Sequence, residues 1–202
     1  MKLKFTAEAI AKRNRKFLNS TRNAQRVQIA KDVLALLDAE KIQAKRGTYM
    51  QLETTNKVLK PGKESGWYSG EGPHKEIFDV IKAPSTTCEV CAIGAVFTAA
   101  MLCRGVDGEY EVRKSHDGHV SRPGRDYMTE VMEPYFSEEE MNDLEDFFEM
   151  NSDSHDLDQE TSLRAAMERL IETNGKSFIP TKKVLRVLER ECEAAWEEEN
   201  GY

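Results

Sequence analysis

The sequence predicts a mainly α fold of the α+β class: a single helical domain around one buried central helix, with a small β-hairpin beside it. Three observations carry that expectation. Residues 90–103 contain no charged side chain, a stretch too short to cross a bilayer but suited to a helix buried on all sides. Four further segments place apolar residues at the three-four spacing of an amphipathic helix. The length of 202 residues corresponds to about one domain at roughly 150 residues each. A chain of that size buries about 70% of its unfolded surface, so its core requires neither a disulfide nor a metal. Residues 1–202 are read as one domain, with 1–20 as a loosely packed N-terminal segment.

Each element follows from local signals. Residues 1–20 are weakly amphipathic, with Phe5, Ile10, Phe17 and Leu18 as anchors. A helix is expected over about 24–45, with Val27, Ala30, Val33, Leu34 and Leu37 on its apolar face and Gly47 ending it. Residues 48–53 (TYMQLE) alternate and read as a short strand. Residues 61–74 (PGKESGWYSGEGPH) are interrupted by two Pro and four Gly and form a loop. Trp67 and Tyr68 in that loop either fold back onto the core or meet a partner. Thr86 and Glu89 have the spacing of a capping box, which starts the central helix over 86–103. Gly94, Ala95, Ala99 and Ala100 let neighbours approach it, and Gly105 is its stop signal. Residues 106–123 read as a hairpin: 109–115 alternates, Asp117-Gly118 turns, and 119–122 returns.

The second half is equally patterned. Ser137 and Glu140 form a capping box, with Phe136 and Met141 as its hydrophobic staple. Acids in that first turn suit the positive end of the helix dipole. Met141, Leu144, Phe147 and Phe148 face inward, and Glu139, Asp143, Asp146 and Glu149 face water. A helix over about 161–174 buries Leu163, Ala166, Met167, Leu170 and Ile171, and Gly175 ends it. Pro180 and Thr181 open a last helix, whose stripe is Val184, Leu185, Leu188, Cys192, Ala195 and Trp196.

Composition excludes several classes. Charged residues make up 32% and hydrophobic ones 39%, with 6 Pro and 12 Gly: polar, but neither disordered nor collagen-like. There is no apolar run of a membrane span, and the N-terminus lacks the apolar core of a signal peptide. Four Cys do not make a disulfide scaffold. A soluble, cytoplasmic protein with no membrane partner is expected.

The net charge of −7 conceals a separation. Residues 1–63 hold 15 Lys/Arg against 5 Asp/Glu, whereas residues 128–160 hold 13 acids and no Lys or Arg. The two regions attract each other within the fold or across a homodimer. Alternatively, the acidic face of Glu139, Asp143, Asp146 and Glu149 captures a basic partner or mimics nucleic acid. A third reading is a nucleic-acid contact through Lys12, Arg13, Arg15, Lys16, Arg22 and Arg26. A pI near 5.3 weighs against it.

One constellation could carry chemistry. Cys88 and Cys91 form C-x-x-C, and a helix N-terminus there would lower a thiol pKa, although Glu89 opposes the thiolate. With His116 and His119, separated from Cys91 by 24 residues, the set offers two thiolates and two imidazoles for tetrahedral zinc. Zinc is the one cofactor the pattern suggests; otherwise none is expected. Cys88 and His116 also make a nucleophile pair. In the plainer reading, Cys91 is a core residue, Cys88 is partly exposed, and the His pair lies in a solvated turn. No phosphate-loop, dinucleotide, nucleophile-elbow or H-E-x-x-H motif is present.

Four segments together are similar to another set of proteins. GTYMQLE (47–53), TCEVCAIGAVF (87–97), EPYFSEEEMNDLEDFFE (133–149) and RLIETNGKSFIP (169–180) resemble a group of small uncharacterised proteins of bacteriophages and bacteria. That group shares a G-T-Y segment, a C-x-V-C-A-x-G-A helix, a Y-F-S/D-x-x-Q-L helix and an N-x-G-x-F-x-P segment. Here Glu140 stands where Gln is common and Met141 where Leu is common. The resemblance spans about 25–180 and transfers no activity. It implies a phage-type accessory protein in the host cytoplasm. Such a protein would act by binding, as an inhibitor, a host or phage protein in counter-defence or host takeover. The expectation is a binding protein rather than an enzyme, with Trp67 and Tyr68 as a second contact.

Overall fold

The structure is a computed structural model and describes residues 6–54, 75–83, 86–106, 111–112, 123–150 and 157–201. Within them the chain runs α1 (Ala7–Leu18), α2 (Arg22–Asp38), β1 (Ile42–Ala44), β2 (Met50–Thr54), β3 (Lys75–Glu76), α3 (Ile77–Lys82) and β4 (Thr86–Val90). It continues through α4 (Ala92–Arg104), β5 (Glu111–Val112), α5 (Arg125–Met132), α6 (Glu138–Met150), α7 (Gln159–Glu172) and α8 (Lys182–Asn200). The mainly α, α+β expectation holds: helices surround a three-stranded sheet ordered β1-β4-β2. No described helix is long and apolar enough to cross a membrane.

Helix α4 organises the core. All of its residues are buried, and α1, α2, α5 and α6 pack around it with the sheet. Small residues make this enclosure feasible. A Cβ on Gly94 would lie 1.8 Å from the Tyr49 carbonyl oxygen, so the chain entering β2 passes where any other side chain would stand. At its far end, Arg104 is buried and forms a bidentate pair with Asp32 of α2, one contact being 2.7 Å. The Arg104 guanidinium also lies over the Phe17 ring of α1. Two opposite charges buried together require this geometry, because either one alone would be left without solvation. Helix α1 is fastened to the same end through buried Ile10 and Phe17 and by Arg13, which donates to the Cys103 carbonyl. Leu18, expected as an anchor, is instead 61% exposed.

The central helix starts later than expected. Residues 86–90 form β4, not a first helical turn, and the Thr86–Glu89 capping box does not exist. The same spacing also satisfies strand alternation: Thr86, Cys88 and Val90 are buried, and Thr87 and Glu89 are half-buried. Two neighbours decide the outcome. Strand β1 pairs parallel to β4, with Ile42 opposite Cys88, and β2 pairs antiparallel, with Leu52 opposite Cys88. Glu89, expected as a cap, pairs with Lys45 across the sheet.

Helix α2 is correspondingly shorter than 24–45. It ends at Asp38, Glu40 takes a left-handed φ of 53°, and the chain turns into β1. The ammonium of Lys41 donates to the carbonyls of Ala83 and Thr86, which ties the turn to the start of β4. Ile42 is then buried in the sheet. The fully buried face of α2 includes Ile29 and Leu36, whereas Val27 and Leu34 are only half-buried. Of the hairpin expected over 106–123, β5 is present. Its register partners are Lys75–Glu76 of β3, and the turn and return strand lie outside the described residues.

Helix α8 differs from the rest. Thr181 caps it as expected, its hydroxyl accepting from the Val184 amide. None of its described side chains is buried, and among the described residues no element packs along it. The apolar stripe is present, and none of its side chains is buried.

Candidate functional site

Helix α6 carries the acidic face, and its own sequence fixes its start. The Ser137 hydroxyl accepts from the Glu140 amide at 3.2 Å, and the Glu140 carboxylate accepts from the Ser137 amide at 2.8 Å. This is the expected capping box, with Phe136 and Met141 fully buried beside it. Met141, Leu144 and Phe148 are buried in the core, and Phe147 is half-buried.

The basic front of the chain then clamps the helix. Buried Arg26 pairs with Glu140 and donates to the carbonyls of Tyr135, at 2.6 Å, and Gly175, at 3.0 Å. Arg125 donates to Glu145 at 2.9 Å and to Asn142. At the other end, Arg46 donates to the Phe148 carbonyl at 2.8 Å, placing a cation at the negative end of the helix dipole. The Gly47 amide donates to Glu149 at 3.1 and 3.2 Å. The Tyr49 phenol lies next to Glu145 and is pushed up to about 12, first by burial and then by that carboxylate.

These contacts sort the acids of α6 into two sets. Glu140, Glu145 and Glu149 are half-buried, and each holds the helix to another part of the fold. Glu139, Asp143 and Asp146 are exposed, and among the described residues none has a hydrogen bond or ion pair. At 100° per residue these three positions lie within about 60° of arc, so their charges point the same way. Glu149, expected on this face, lies further round the helix, and its carboxylate is occupied by the Gly47 amide.

The negative surface continues past the start of α6. An open cleft of about 570 Å³ lies between α5 and this end, lined by Asp126, Glu130, Glu133 and Glu138 against Arg22 and Arg125. Arg22 and Arg125 are already engaged, Arg22 with the carbonyls of Tyr135 and Glu133. Glu130, Glu133 and Glu138 belong to the acid-only segment 128–160, the one signal in the sequence that could have marked them.

The other candidate residues divide by position. Trp67, Tyr68, His116 and His119 lie outside the described residues. Cys88 is fully buried in the middle strand rather than partly exposed. Cys91 is the N-cap of α4 and is buried as well. The Gly94 and Ile93 amides favour its thiolate, but burial outweighs them. Burial pushes both thiols up to about 12, so neither carries the lowered pKa of a reactive dithiol. Among the described residues, no three His, Cys, Asp or Glu side chains gather where they could hold a metal ion. In the basic segment, Arg13, Arg22 and Arg26 donate to the fold itself, while Lys12, Arg15 and Lys16 are exposed on α1.

No protein-family model, curated protein or solved structure matches the chain.

Proposed function

We propose that this protein acts by binding a basic surface of another protein through the acidic face of α6, extended by the acids of the adjoining cleft. The observation that carries this reading is the row of Glu139, Asp143 and Asp146: three exposed charges that nothing among the described residues neutralises. A like-signed row on a rigid support steers an oppositely charged partner and fixes its register. The support here is rigid because α6 is capped at its start, held at its end, and packed by three core side chains. Three arginines of the basic front are spent on the fold, which favours this surface over nucleic-acid binding at the N-terminus. The resemblance to small phage and bacterial proteins supports an accessory role, such as inhibition of a host or phage protein.

The test is affinity capture from bacterial and phage-infected lysates, with mass spectrometry of the recovered proteins. The wild type is compared with a variant carrying Glu139→Lys, Asp143→Lys and Asp146→Lys. The expected result is a basic partner that the wild type retains, that raised salt weakens, and that the variant loses while its melting temperature stays unchanged. Equal recovery by the folded variant overturns the proposal.

A further inference from the structure

Helix α8 is 19 residues long, about 28 Å at 1.5 Å per residue. It has good helix formers and caps at both ends, Thr181 and left-handed Gly201. Val184 and Val187 are 39% and 45% exposed, and Leu185, Leu188 and Cys192 are half-buried. Leu185, Leu188, Cys192 and Ala195 are spaced three, four and three residues apart, the a/d seam of a coiled coil. A helix with such a seam and no described element along it is complete only against a second apolar surface.

The charges on α8 identify that surface. Residues 182–190 hold Lys182, Lys183, Arg186 and Arg190 against Glu189. Residues 191–199 hold Glu191, Glu193, Glu197, Glu198 and Glu199 and no base. Two copies side by side in parallel would set acid against acid along half their length. Two copies running antiparallel set the basic half of each against the acidic half of the other. The antiparallel arrangement also pairs the seam. With Arg190 at the two-fold point, Leu185 faces Ala195 of the other copy and Leu188 faces Cys192. Lys182 and Lys183 then stand level with Glu198 and Glu197. At the two-fold point Arg190 meets Arg190 of the other copy, and Glu189 faces Glu191 on either side of it.

We propose that α8 is a homodimerisation element and that two copies of this chain pair through it as an antiparallel two-helix coiled coil. The pairing uses a surface separate from the acidic face of α6, and a dimer would present two such faces to a partner.

The test is sedimentation velocity of the full chain over roughly 1–100 μM, where mass action populates a weak dimer. The expected result is a concentration-dependent dimer for the wild type and a monomer for Leu185→Lys/Leu188→Lys, with the variant's thermal unfolding unchanged when dilute. Direction is tested with Leu188→Cys under diamide. Antiparallel pairing joins the introduced thiol of one copy to Cys192 of the other in an interchain disulfide, while Cys192 of the wild type does not self-link. A wild type that is monomeric throughout overturns the proposal. So does a dimer that persists in the double Lys variant, or a wild-type dimer that links Cys192 to Cys192.

Discussion

Helices α4 and α8 are both apolar along at least one face, yet every residue of α4 is buried and no described side chain of α8 is. Their sequences explain the difference. Helix α4 mixes four Ala, Met and Leu with Gly, Val, Ile, Phe and Thr, residues of modest helix propensity, and has no side-chain cap at its N-terminus. It is helical because the sheet and four helices close around it. Helix α8 is rich in Lys, Arg, Glu, Leu and Ala and is capped at both ends, so local terms alone favour it. The first helix is specified by tertiary packing and the second by its own sequence, which frees the second to meet another chain.

That contrast can be tested by matched substitutions. Leu102→Ala removes a fully buried side chain from α4 and is expected to cost about 3 kcal/mol in chemical denaturation. The same change at half-buried Leu188, measured at low concentration, is expected to cost less than about 1 kcal/mol. Equal losses would mean that α8 belongs to the core.

The cysteines sharpen the comparison through pH. Cys88, Cys91 and Cys103 are buried, and burial pushes each thiol up to about 12. Cys192 of α8 is only half-buried. In the unfolded chain thiols ionise near about 8.5. Between that value and about 12 the unfolded state has released protons that the folded state still holds, so stability falls as pH rises. Each buried thiol contributes up to about 1.4 kcal/mol per pH unit. Urea midpoints from neutral to alkaline pH are expected to fall, and to fall less steeply for Cys103→Ala. A wild-type slope in Cys103→Ala would contradict this.

Signals confined to a few neighbouring residues were legible in the sequence. The Ser137–Glu140 box, the Gly105 stop and the Thr181 cap each need only residues within one turn, and all three are present. The Thr86–Glu89 spacing misled because it fits both a capping box and an alternating strand, and the choice is made by Ile42 and Leu52, more than 30 residues away. Strand β1 was hidden for the same reason: Ile42 extends a helical pattern until its partner is known. At the candidate site, helical periodicity identified Glu139, Asp143 and Asp146 as exposed. It could not identify Glu149 as the acceptor for the Gly47 amide, a contact between residues 102 positions apart. The charge separation was plain, but Arg26–Glu140 depends on the fold. Amphipathicity marked the stripe of α8, but periodicity shows which face is apolar and not what covers it.

By this proposal the described core closes without α8 and leaves the stripe of α8 to a second copy of the chain. Native-state hydrogen exchange, followed at increasing protein concentration, tests this most directly. The amides of α4 are expected to exchange only through global unfolding at every concentration. Those of α8 are expected to exchange much faster when dilute and to slow as concentration rises. Protection of α8 equal to that of α4 in dilute solution, with no dependence on concentration, would contradict the account.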